Sequence, residues 1–366
     1  MVSEVVRGRL GWTVVVPLAA FVALVVTWGR KPGDLVLTLV AVVLIGAVLA
    51  AVHHAEVVAH RVGEPLGSLV LAVAVTVIEV ALIVTLMITA DKDTSGLARD
   101  TVFAAVMISV NGIVGLSLLV SAMKHHLAVF NPEGTGAMLA TVVTLATVCL
   151  VLPSFTTSEP GPVYTGPQLA FAAIASLVLY GLFVFTQTVR HRDFFLPVEK
   201  GQVDDDADGH ADPPTNRATW TSLGLLLLAL VSVVGLAKVE SPTIERGVAA
   251  LGFPAAFVGV VIALLVLLPE SIAATRAAAN AQVQTGMNLA YGSAMASIGL
   301  TIPTIAVASI WLDGPLSLGL EPLQIVLLFI SVVVSILTVV PGRAKPLQGG
   351  VHLVLLAAFI FLSIRP

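Results

Sequence analysis

The sequence predicts an all-α polytopic membrane protein of about 11 transmembrane helices, arranged as two inverted five-helix repeats plus one extra N-terminal helix. Three observations predict it. Hydrophobic residues make up 57% of the 366 residues and charged residues 11%, where a soluble chain carries about 25% charge. The mean hydropathy is +1.02. Apolar segments near the length of roughly 20 residues needed to cross a bilayer recur along the whole chain.

The segments run at 11–28, 35–52, 65–90, 101–123, 136–152, 166–189, 219–237, 247–275, 286–311, 322–340 and 346–364. Each must close its own backbone hydrogen bonds in lipid, so each reads as a helix. The pattern lacks the alternating ten-residue stretches of an outer-membrane barrel. The first segment has no A-x-A cleavage site, so 1–30 reads as a retained extra helix. Residues 34–190 hold the first five-helix repeat and 219–366 the second. Between them, 191–218 carries Asp204, Asp205, Asp206, Asp208 and Asp212, then Pro213 and Pro214. That composition reads as a flexible acidic linker.

Charge and cysteine content narrow the function. A net charge of -4 offers no basic patch for nucleic-acid phosphates. The single cysteine, Cys149, excludes a disulfide framework and any Cys-based metal cluster. Cys149 and His352 read as ordinary span residues. With the N-terminus inside, 11 of the 18 basic residues fall on the inner side. The loops 153–166 and 312–321, which lack Lys and Arg, then fall outside. The positive-inside rule therefore puts the N-terminus and the 191–218 linker in the cytoplasm, with the chain in the inner (cytoplasmic) membrane.

Among the charged residues, Glu79 and Glu270 fall deep within predicted spans. A carboxylate there costs about 2.5–3.5 kcal/mol, so it is expected to face a cavity and carry function. The two occupy matching places. Pro65 precedes Glu79 as Pro254 precedes Glu270, by 14 and 16 residues. An offset of 184 aligns Asp100-Thr101 with Gln284-Thr285, Ser109 with Ser293, and Gly115-Leu116-Ser117 with Gly299-Leu300-Thr301. Five spans per repeat is an odd number, so the second copy is inverted, with the site where the repeats meet. Pro269, just before Glu270, frees the Leu265 carbonyl and favours a break or kink there; otherwise the helix extends past Arg276.

Other motifs are less specific. His53, Glu56 and His60 form one helical stripe, suited to proton or cation access. A zinc site would want the H-E-x-x-H spacing, which is absent. Asp91, Asp93 and Asp100 are expected in an outer loop. Gly112-x-x-Gly115 and the stretch from Gly292 to Ser297 allow close helix approach. Asn288 lies near a helix start, where capping or packing would account for it.

The run from Gly63-Glu64-Pro65-Leu66-Gly67-Ser68-Leu69 through Val75-Thr76-Val77-Ile78-Glu79-Val80-Ala81-Leu82-Ile83 resembles the first alpha-repeat of the cation/calcium exchanger superfamily. Leu268-Pro269-Glu270-Ser271 through Met287-Asn288-Leu289-Ala290-Tyr291-Gly292-Ser293 and on to Pro303 resembles the second. The resemblance covers nearly the whole chain and is nearest to bacterial calcium/proton antiporters of the ChaA type. It implies that Glu79 and Glu270 are the central acidic pair, that Asn111 is the polar residue of the following helix, and that Gly292-Ser293 is the second repeat's glycine-serine step. It also implies that Glu56 is a membrane-edge glutamate. Many proton-exchanging relatives carry Gly-Asn-x-x-Glu where this chain reads Val75-Thr76-Val77-Ile78-Glu79 and Val266-Leu267-Leu268-Pro269-Glu270. Thr76, Ser109, Asn111, Ser293, Ser297, backbone carbonyls and water would supply the remaining oxygens of the six to eight that calcium prefers.

The chemistry expected of such a pair is exchange by competition. Two bare carboxylates in a low-dielectric site are unfavourable, so the pair is stable either protonated or ionised around a cation. The expected function is Ca²⁺/H⁺ antiport by alternating access, with Na⁺ or K⁺ exchange on the same fold as the alternative. The ion is substrate, and no resident cofactor is expected. An intramembrane enzyme would need a nucleophile with a base or a His/Asp metal set within the spans, and the sequence pattern offers neither. A passive channel would sooner show one pore motif than two buried glutamates in inverted halves.

Overall fold

The computed structural model describes residues 11–30, 32–63, 66–89, 94–198, 214–311 and 314–366. Pro65, Asp91, Asp93 and the acidic run from Asp204 to Asp212 lie outside the described residues. The helices are α1 (Trp12–Thr27), α2 (Asp34–Val62), α3 (Leu66–Thr89), α4 (Leu97–His125), α5 (Pro132–Ser154), α6 (Gly166–Arg190), α7 (Asn216–Ala250), α8 (Phe257–Ala279), α9 (Val283–Ala308), α10 (Pro322–Val339) and α11 (Pro346–Ile364). Among the described residues nine helices are long and apolar enough to cross a membrane, and Trp12–Thr27 and Val73–Ile88 are shorter apolar helices. The protein is a multi-pass membrane protein with the expected helices in the expected order.

A recurring device starts three of these helices. Gln168, Gln324 and Gln348 each accept a hydrogen bond from the backbone N–H three residues earlier, at Thr165, Glu321 and Lys345, all at 2.9 Å. A proline stands in the first turn of each, where its missing N–H costs nothing. Helix α5 is capped instead by Asn131, whose side-chain oxygen accepts from Glu133 N and Gly134 N.

Three boundaries differ from the sequence expectation. Helix α7 continues to Ala250, so Lys238, Glu240, Glu245 and Arg246 belong to a helix and not to an outer loop. The helix satisfies Glu245 and Arg246 locally. Ser241 donates to Glu245 at 3.2 Å, and Arg246 donates to the Pro242 carbonyl at 3.1 Å. Lys238 sits over the Trp28 ring, 5.2 Å from its centroid. Helix α2 likewise runs to Val62 and includes His53, Glu56 and His60. Asp100 is in the first turn of α4, buried, and not in a loop.

The helices group into two compact units that cut across the sequence halves: α1, α2, α3 and α7 in one, the rest in the other. In the first unit, α1 packs on α2, where Gly46 faces the Val16 side chain. Gly235 of α7 faces Leu24 of α1. In the second unit, α4 and α8 run parallel. A Cβ at Gly259 would come within 2.8 Å of Thr101 N, and one at Gly286 within 2.9 Å of Ser117 Oγ and 3.2 Å of Ala274 O. Helix α9 then returns antiparallel to α8.

Loop pairing in the second unit carries the mark of the inverted repeat. A two-residue strand β1 (Ala128–Val129), after α4, pairs antiparallel with β2 (Arg343–Ala344), before α11. An isolated bridge joins Val163, between α5 and α6, to Ser317, between α9 and α10. Exchanging the repeats maps one pairing onto the other.

Candidate functional site

The middle of α4 is not α-helical. Ile108–Ile113 forms a π-helical turn that holds Ser109 and Asn111, both fully buried. Such a turn inserts an extra residue and re-aims the side chains around it, a device frequent at functional sites. Helices α8 and α9 pack against this turn. Gly112 faces Leu356 of α11, and a Cβ at Gly115 would lie 3.1 Å from Gly349 O. The Gly112-x-x-Gly115 motif therefore seats α11, as close-packing glycines do.

Glu270 lies on the buried side of α8. The parallel contacts between α4 and α8 put it level with Gly112 and Ile113. Helix α8 is unbroken from Phe257 to Ala279, with Pro269 inside it and Arg276 in its last turn, so the helix runs on and does not break. Pro269 has no N–H to offer the Leu265 carbonyl. On α9, Ser297 is buried and Ser293 half-buried. The second unit thus brings Ser109, Asn111, Glu270, Ser293 and Ser297 onto three helices that pack together.

In the first unit, Glu79 is 2% exposed near the middle of α3, and Thr76 is buried three residues earlier on the same helix face. On α2, His53 and Glu56 are half-buried and His60 is exposed. Among the described residues no group of three His, Cys, Asp or Glu side chains could hold a metal ion. The buried histidine of α2 is His54, whose Nε2 lies 2.8 Å from the Thr13 carbonyl, while His53 packs against the Trp12 ring.

The sequence reading missed Glu240. It is 2% exposed, and one of its carboxylate oxygens is buried without a hydrogen-bond partner. The signal was present: Glu240 follows Glu56 by 184 residues, the offset that relates Asp100 to Gln284. Ending α7 at 237 hid it.

A second missed feature surrounds Asn111. Its Nδ2 donates to Ser331 Oγ at 2.9 Å, and its Oδ1 lies 3.2 Å from His352 Nδ1. His352 Nε2 lies 3.3 Å from Thr338 Oγ1. His352, expected to be an ordinary span residue, is fully buried in a polar network with Asn111, Ser331 and Thr338.

A family model described as sodium/calcium exchanger protein matches residues 33–189 and 221–365, the two five-helix blocks. The chain is 42% identical to a putative ionic transporter, y4hA, of Sinorhizobium fredii, over 97% of this chain and 96% of that one. It is 33% identical to the sodium-potassium/proton antiporter ChaA of Escherichia coli, over 98% of each. Among solved structures, the Ca²⁺/H⁺ antiporter protein YfkE superposes with a TM-score of 0.71 at 14% identity, covering 97% of this chain and 98% of that one; that likeness concerns the fold.

Proposed function

The chain belongs to the sodium/calcium exchanger protein family, and from that premise we propose that it is a Ca²⁺/H⁺ antiporter in which the cation and protons compete for Glu79 and Glu270. The observation that carries the reading is that each glutamate is buried within the second helix of its five-helix block. One divalent cation or two protons neutralise the same pair, so binding is mutually exclusive. Only neutralised forms cross between inward- and outward-facing states. Thr76, Ser109, Asn111, Ser293 and Ser297 complete the oxygen set, and the Leu265 carbonyl, which has no donor at Pro269, adds one more. Glu56, with His53 and His60, serves as the access route on α2, and Glu240 is its counterpart on α7. The N-terminus and the 191–218 linker face the cytoplasm, and the halves 34–190 and 219–366 are the repeats.

A second reading exchanges Na⁺ or K⁺ for protons on the same glutamates. It is favoured by the 33% identity to a relative named a sodium-potassium/proton antiporter and by the missing Gly-Asn-x-x-Glu amides. The test is cation-induced dissipation of a preset proton gradient in proteoliposomes, with Ca²⁺, Na⁺, K⁺ and Mg²⁺ compared. A Ca²⁺ response lost in Glu79→Gln and in Glu270→Gln supports the first reading. A response confined to Na⁺ or K⁺ moves the substrate. Full activity in either glutamine variant overturns the two-glutamate mechanism.

A further inference from the structure

We propose that Ser117 and Ser121 carry protons to Glu270 along a column of their own, entered beside His125 at the end of α4 and built from different residues than the cation's route on α2. The inference rests on the exchange reading, which already puts a proton on Glu270. Helical serines in this protein commonly hand their hydrogen to the carbonyl one turn back, as Ser232, Ser271 and Ser331 do at 2.7 Å. Ser109 and Ser117 on α4 do not: both are fully buried, and neither Oγ has a hydrogen-bond partner. Ser109 has a role in the ion's oxygen set, and Ser117 has none. The Ser117 hydroxyl turns to the seam between α8 and α9. A Cβ at Gly286 would stand 2.9 Å from Ser117 Oγ and 3.2 Å from the Ala274 carbonyl oxygen.

That seam leads from Glu270 to the ends of the helices. Glu270, Ala274 and Ala278 are buried at one-turn intervals along α8. Ser117, Ser121 and His125 follow one another at the same interval along α4, the serines buried and His125 half-buried. His125 Nε2 donates to the Ala279 carbonyl at 3.1 Å, so the stripe on α4 follows α8 into its last turn. The hydroxyls thus run level with alanines. Side chains one turn apart stand about 5–6 Å from each other, a gap that one water bridges. A serine hydroxyl both donates and accepts, so at each hop one O–H bond forms as the next breaks. Serines and waters end as they began, and a proton from bulk solvent ends on the Glu270 carboxylate. The mouth repels metal cations: Lys124 and Arg276 are exposed there, and 117–126 and 271–280 hold no acidic residue, whereas α2 offers Glu56. The column exists in one repeat. The offset of 184 puts Ile305 where Ser121 stands, and the offset of 191 that relates Glu79 to Glu270 puts Ile83 and Met87 where Ala274 and Ala278 stand. The route therefore opens to one side of the membrane, that of His125.

Two transport modes, measured on the same proteoliposomes of the full chain, test the column. Cation/proton exchange is read at a pH high enough for proton uptake to limit its rate. Self-exchange of labelled cation, Ca²⁺ or Na⁺ according to what the wild type carries, needs no proton. Ser117→Ala and Ser121→Ala should each slow the first mode roughly two- to tenfold, the worth of one net hydrogen bond in the relay, and leave the second near wild type. Retained self-exchange also shows that each variant is folded, and if one fails to fold the other decides. Proton exchange that matches wild type in the alanine variants overturns the column. So does an equal fall in both modes, which would make the serines packing residues or part of the cation's own route. A wild type that moves no protons for any cation overturns the exchange reading and the column with it. That result is distinct from failure of the column alone, in which the wild type exchanges and the variants match it.

Discussion

The starts of α4 and α9 occupy equivalent places in the two repeats, and they are fastened by opposite chemistry. Asp100 aligns with Gln284 at the offset of 184. At the first, Arg99 Nε contacts Asp100 Oδ1 at 2.8 Å, and Gln324 at the start of α10 donates to the same oxygen at 3.3 Å. At the second, Gln284 Oε1 accepts from Asn131 N at 2.7 Å, and Gln284 Nε2 donates to Asn288 at 2.9 Å. Asn288 in turn donates to the Phe195 carbonyl at 2.6 Å, so its role is packing at the helix start. Each cluster ties the third helix of one repeat to the fourth helix of the other. They lie at opposite ends, because Gly286 of α9 sits by Ser117 near the far end of α4. One end is held by a buried ion pair and the other by neutral amides. The lesson is that the repeat preserves the fastening point and leaves its electrostatics free to diverge.

Removing one charge has the largest expected effect. Asp100→Ala leaves Arg99, 9% exposed, without its carboxylate, and breaking a buried pair in this way costs about 3–5 kcal/mol. The expected result is a large loss of melting temperature in detergent. Replacing both together, as Arg99→Met with Asp100→Leu, should recover most of it, because the pair also carries its own desolvation cost. A double variant as unstable as Asp100→Ala would show that the pair does more than neutralise itself. At the neutral end, Gln284→Ala leaves Asn131 N and Asn288 short of partners, a loss of about 1–3 kcal/mol. The same melting assay should rank it below Asp100→Ala; the reverse order would refute the contrast.

Much of this architecture was legible in the sequence, and the limits are physical. The helices announced themselves because lipid demands long apolar runs whatever the tertiary packing. Helix ends in α2 and α7 did not, because polar residues such as Glu245 and Arg246 are satisfied by partners three and four residues away inside the helix. Glu79 and Glu270 stood out as lone charges in apolar spans. Asn111 was legible only through resemblance, and its partner His352 is 241 residues distant, a separation across which no local pattern carries information. Asp100 reads like any loop aspartate until Gln324, 224 residues on, is seen donating to it. Pro269 suggested a break or kink, with an extension past Arg276 as the alternative, and the helix is continuous from Phe257 to Ala279.

At the exposed rim of the charged cluster the expected effect is smallest. Glu321 approaches Arg99 at 3.6 Å, but its side chain is 65% exposed. An ion pair so wet is worth about 0–1 kcal/mol and is screened by salt. Glu321→Gln should therefore barely move the melting temperature, and what little it moves should vanish at high ionic strength. Asp100→Ala should keep its large effect in the same salt series, because buried charges are screened far less. If both variants lost their effect together in salt, the Arg99–Asp100 pair would be reached by water and ions, and the two ends of the repeat would differ in sequence without differing in the physics that holds them.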